Sequence, residues 1–141
     1  MAAGPDGQYW ADVGSATWWS GSCSESFEKA ARSNRTISKV AFGENHSWIV
    51  LYVDGASAWQ GIPTKLHNKL NGRNKRMSKA VEVALGRNET WYVKFADGAY
   101  DYELPTNVAD TFVKWTDAGW RIKNVVLNSE NGDFLLRYSN S

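Results

Sequence analysis

The sequence contains a single cysteine, Cys23, in 141 residues. An internal disulfide is therefore excluded, and a reducing compartment suits the chain better than an oxidising one. No apolar run reaches the ~18 residues that a membrane-spanning helix needs. Met1 leads into Ala-Ala-Gly-Pro-Asp rather than a basic and then apolar leader, so the expected address is the cytoplasm. Neither sign of charge is in excess: 16 Lys and Arg stand against 15 Asp and Glu, a formal net charge of +1. Bulk attraction to nucleic acid or an anionic membrane is thus absent, and partners have to be recognised locally. Catalytic equipment is also sparse. His46 and His67 have no spaced carboxylate or cysteine partner, Cys23 lies among serines without a recurring base, and no Gly-rich phosphate loop occurs. No enzyme, cofactor or metal site is expected.

Aromatic residues are plentiful, with 8 Trp, 6 Tyr and 5 Phe. They serve either as large core residues in thin β layers or as flat surfaces for a ligand, and position decides between the two. Turn-plus-aromatic elements recur as Pro5-Asp6-Gly7-Gln8-Tyr9, Glu44-Asn45-His46-Ser47-Trp48, Arg87-Asn88-Glu89-Thr90-Trp91 and Glu130-Asn131-Gly132-Asp133-Phe134, with the aromatics 39, 43 and 43 residues apart. Asp or Asn three residues before each aromatic predicts a hairpin turn tolerant of left-handed backbone. Apolar strands precede the turns over 37–42, 80–85 and 122–127, with only 1–3 left in the first copy. After the turns, Trp48, Val50 and Tyr52, then Trp91, Val93 and Phe95, then Phe134, Leu136 and Tyr138 alternate with period two, which buries one face. The opposite positions mix polar Lys94 and Arg137 with apolar Ile49, Leu51 and Tyr92, as expected for a face partly covered by a neighbouring unit.

Asp54-Gly55 and Asp97-Gly98 end these strands at matching offsets. A third strand follows, carrying Trp18-Trp19, Trp59 or Tyr102, and then a short helix with apolar pairs at Phe27 and Ala31, Leu66 and Leu70, or Val108 and Phe112. Pro63 and Pro105 are placed to occupy the first turn of the second and third helices. The chain is thus expected to be mainly β with short helices, one domain over 1–141 of tandem β-β-β-α units of about 40 residues, at about 1–36, 37–79, 80–121 and a partial 122–141. A closed ring is the favoured arrangement because it hides sheet edges, with the incomplete end units completing each other within one chain or between chains of a homo-oligomer.

The W-x-V-x-Y-x-D-G strand and the Trp-x-Gly element after it resemble the β-propeller lectins of the tectonin and tachylectin type. Those blades have four strands, whereas here a helix opening at Ile62-Pro63 or Leu104-Pro105 holds the fourth place. The resemblance implies sugar binding in shallow sites between blades, an aromatic ring lying under the apolar face of the sugar. A β-trefoil is the alternative fold, but it has three copies and no helices.

Trp19, Trp59 and Tyr102 recur at equivalent places and are candidate ligand surfaces, with packing between units as their competing role. Trp18, Tyr100 and Trp120 do not recur, which marks them for a function-specific surface. Asp54 and Asp97 could accept hydrogen bonds from ligand hydroxyls, although Asp-Gly is also ordinary turn chemistry. The expected function is non-enzymatic carbohydrate binding through several equivalent aromatic sites, with glycans or glycoconjugates as partners. A self-assembling interaction scaffold is the alternative, and single-stranded nucleic-acid binding by the basic run 73–79 is the third and least favoured.

Overall fold

The computed structural model describes residues 2–13, 16–21, 23–32, 35–73, 79–127 and 134–139. Elements follow one another as β1 (Ala2–Ala3), β2 (Tyr9–Val13), β3 (Ala16–Trp19) and α1 (Glu25–Ala31); β4 (Ile37–Phe42), β5 (Trp48–Tyr52), β6 (Ser57–Gln60) and α2 (Thr64–Arg73); β7 (Ala80–Leu85), β8 (Trp91–Phe95), β9 (Tyr100–Glu103) and α3 (Thr106–Asp117); and finally β10 (Arg121–Leu127) and β11 (Phe134–Ser139). The molecule is mainly β, in small antiparallel sheets β1-β2-β3, β4-β5-β6, β7-β8-β9 and β10-β11.

The turns form as their residues dictate. Asn45 and Asn88 adopt left-handed φ of 55° and 59° in the hairpins, each followed by a second left-handed residue, His46 or Glu89. Asp54 and Asp97 each accept the backbone N–H two residues on at 2.9 Å, and Gly55 and Gly98 carry the positive φ that the turn requires. Three hairpins share one irregularity. The register slips after Ile37, after Ala80 and after Ile122, so each first strand carries an extra residue near its start.

Both faces of β5 are covered, which is why all five of its residues are buried. Trp48, Val50 and Tyr52 pack with Phe27 of α1 and with Trp10, while Ile49 and Leu51 on the other face pack with Leu66 and Leu70 of α2 and with Trp91, Val93 and Phe95 of β8. The far side of β8 presents Tyr92 to Phe112 of α3 and to Ile122 and Val125 of β10. A helix thus lies in each gap between successive sheets. Pro63 and Pro105 stand one position earlier than the sequence suggests: their carbonyls accept the first helical bonds, from His67 and Ala109. Because proline can neither donate nor continue a helix backwards, it serves here as the flanking residue.

At the opposite edge from the helices, β1, β4, β7 and β10 neighbour one another in turn and line a shared groove of about 230 Å³. Three glycines set their approach. A Cβ on Gly4 would lie 2.3 Å from Cβ of Phe42, one on Gly43 would lie 3.1 Å from Cβ of Leu85, and one on Gly86 would lie 3.0 Å from Cβ of Leu127. Gly43 has an ordinary extended φ of −127°, so space rather than conformation demands glycine there.

Candidate functional site

Near the aromatic candidates a groove of about 410 Å³ opens between the sheet β7-β8-β9 and the junction of α3 with β10. Tyr100 and Trp120, two of the non-recurring aromatics, both line it, together with Tyr92, Lys94, Thr116 and Arg121. Antiparallel pairing builds its floor. Lys94 lies directly opposite Tyr100, and Tyr92 directly opposite Tyr102, so these four side chains share one face of the sheet. Tyr100 stacks on Tyr102 with centroids 6.4 Å apart and planes 15° apart, and on Tyr92 at 6.5 Å and 28°. Phe112 of α3 closes the ring cluster, 4.6 Å from Tyr102 and 5.4 Å from Tyr100. Trp120 meets Trp115 edge to face at 5.6 Å on the other wall.

Burial at this groove shapes its chemistry. Tyr92 is fully buried, and its hydroxyl has no hydrogen-bond partner among the described residues. Desolvation, with the Glu82 carboxylate nearby as a lesser cause, drives the Tyr92 phenol far above its ordinary range, so it remains a neutral O–H. Glu82 stands opposite Lys94 on β7, and burial raises its carboxyl above the usual value against the opposing pull of Lys39 and Lys94.

The remaining candidates occupy other surroundings. Trp19 packs partly buried against the core around Phe27, with the Arg32 guanidinium 5.7 Å from its ring centre. Trp59 donates to His67 and packs beside Leu66 and Leu70. Tyr102 packs against Phe112, and burial raises its phenol pKa too. The three are therefore equivalent in register, opposite Trp10, Ile49 and Tyr92 respectively, and all three contribute to the packing between sheets. Trp18 projects on the other face of its sheet and is 61% exposed. Asp54 holds its turn and lies 3.6 Å from the Arg35 guanidinium; Asp97 holds the equivalent turn beside Gly98. Most of the basic run, 74–78, lies outside the described residues, as does the fourth turn, 130–133.

Sequence reasoning named Tyr100 and Trp120 without placing them together, and it missed Tyr92, Thr116 and Arg121 as groove residues. Lys94 was visible, with Arg137, as a polar member of the offset that holds apolar Leu51 in the second copy. Among the described residues no cluster of His, Cys, Asp or Glu is gathered to hold a metal, and no helix is long and apolar enough to cross a membrane. No protein-family model, curated protein or solved structure matches the chain.

Proposed function

We propose that the chain is a non-enzymatic binding module for carbohydrate, built from tandem β-β-β-α units set propeller-like around β1, β4, β7 and β10. The groove at Tyr100 and Trp120 carries this proposal. Its volume of about 410 Å³ lies within the range of small-molecule sites. Flat rings can lie against the apolar face of a sugar, and the Thr116 hydroxyl and the Lys94 ammonium can meet its hydroxyls. Trp19, Trp59 and Tyr102 are engaged in packing between sheets, which favours one principal site over several equivalent ones.

Glycan-array binding by the whole chain, followed by NMR titration with a positive sugar, tests the proposal. Bound sugar is expected to shift the amide resonances of Gly98, Tyr100 and Trp120, and Trp120→Ala is expected to weaken binding at least about tenfold, the loss of one stacked ring. No binder on the array and no shifts at millimolar sugar would refute it.

Self-assembly is a second reading, favoured by the uncovered end sheets. Leu135 is 55% exposed, although Ile49 and Tyr92, which hold the same register position in β5 and β8, are fully buried. Tyr9 is exposed at the other end, where its counterparts Trp48 and Trp91 are buried. These faces match those that meet between successive sheets. Sedimentation of the purified chain decides: a concentration-dependent mass that collapses to the monomer with Leu135→Lys supports assembly, and a monomer at every concentration rules it out.

A further inference from the structure

The groove can be compared, position by position, with the gap one sheet earlier. Lys94 pairs with Tyr100 where Leu51 pairs with Ser57, and Arg121 stands beside Ile122 where Lys79 stands beside Ala80. In the earlier gap Leu51 is buried with Phe95 in one apolar cluster, and the Lys79 stem lies over Gly55, whose added Cβ would come within 2.6 Å of its Cδ. In the later gap nothing among the described residues comes within 4 Å of a Cβ on Gly98. One gap is filled and the other is open.

Charge separates them as well. Two α2 lysines beside the earlier gap are neutralised by β9, Lys65 by Glu103 at 3.6 Å and Lys69 by Asp101 at 3.2 Å. Lys94 and Arg121 form no ion pair among the described residues. Glu82 faces Lys94 across the strand pair and also feels Lys39. Asp97, at the rim beside Gly98, gives a carboxylate oxygen to its own turn. Among the described residues no acid lines the groove itself.

We infer that, if the groove binds carbohydrate as proposed above, its ligand is an anionic saccharide, a sugar bearing one carboxylate or ester sulfate. The anion would lie between the Lys94 ammonium and the Arg121 guanidinium, the latter able to bind it through two parallel N–H bonds. The sugar ring would lie against Trp120 and Tyr100. The contrast between the gaps carries this inference: Leu51 and the Lys79 stem fill the earlier one, whereas the later one is open and lined by two cations.

A matched series of methyl glycosides tests it, each in neutral, carboxylated and sulfated form, titrated against the full chain by calorimetry and by amide chemical shift. The charged members are expected to bind at least about tenfold more tightly than the neutral one, with affinity falling as salt rises. Arg121→Gln, on an exposed side chain, and Lys94→Gln are each expected to remove most of that preference while a neutral sugar still binds. Comparison of the two charged members identifies the anion. Equal affinity for neutral and charged members at the groove overturns the inference and leaves carbohydrate binding standing. Binding of none of them overturns both. Should Lys94→Gln lose its native chemical-shift dispersion, Arg121→Gln alone decides between these outcomes.

Discussion

The indole N–H of Trp59 donates to Nδ1 of His67 at 2.8 Å, and the two rings meet edge to face with centroids 5.7 Å apart. The other ring nitrogen, Nε2, lies 2.9 Å from Nδ2 of Asn71 one turn along the helix. The third strand of the second sheet is thereby tied to α2. Trp59→Phe keeps most of the packing and is expected to cost about 1 kcal/mol, the value of one hydrogen bond. Trp59→Ala is expected to cost more than about 2 kcal/mol. Denaturant unfolding measures both, and an unchanged midpoint for the alanine variant would show that the ring does not hold the helix.

Phe27 anchors α1 in the gap between the first two sheets. Its ring lies 5.0 Å from that of Phe42 and 5.8 Å from that of Trp48, and it is fully buried. The indole of Trp48 also donates to the Ser26 hydroxyl at 2.9 Å, and the Tyr52 hydroxyl to the Ala30 carbonyl at 3.0 Å. Phe27→Ala is expected to lose about 3 to 5 kcal/mol of stability. Ser26→Ala should cost only about 1 kcal/mol. Equal losses in the two variants would assign the anchoring to the hydroxyl instead.

Glu82 supplies a pH dependence with a definite sign. Its carboxyl is raised above 4.5 in the folded chain, first by burial. Over the interval between the unfolded and folded values the folded state therefore holds more protons, so this group's contribution to stability falls as pH rises from about 4.5. Glu82→Gln keeps an acceptor for the Val125 N–H and removes the charge. The variant should be more stable than the parent at pH 7, and the difference should shrink in acid. A gain that persists undiminished at pH 4 would contradict this assignment.

Gly43→Ala tests the spacing of the first strands. The new Cβ would come within 2.5 Å of the Ser47 hydroxyl oxygen and 3.1 Å of Leu85 Cβ, while the backbone itself suits any residue. A loss of about 1 to 3 kcal/mol is expected from overpacking. The same change at Gly21, where a Cβ would meet nothing within 4 Å among the described residues, should cost far less. Matching unfolding midpoints would refute the steric account.

Local chemistry was legible in the sequence wherever a residue answers to its own neighbours. The Asn and Asp turns, the apolar pairs Leu66 and Leu70 or Val108 and Phe112, and the alternation through Trp48, Val50 and Tyr52 all form as expected. Proline placement missed by one residue, because a carbonyl that accepts the first helical bond precedes the helix it starts. The groove was less legible. Tyr100 and Trp120 are separated by α3, and only the packing of one sheet on the next brings them to a single opening. A signal did exist in the offset that holds Leu51 in one copy and Lys94 in the next, and it becomes informative once the pairing with Ser57 or Tyr100 is known.

The three close-approach glycines amount to a ruler for the pitch of the stack. Each follows its first strand immediately, after Ala3, Phe42 and Leu85, and each lets the next first strand come closer than a side chain would permit. Enlarging any one of the three would push the neighbouring first strand outward, so the spacing of these strands is fixed by how closely backbone can approach rather than by side-chain size.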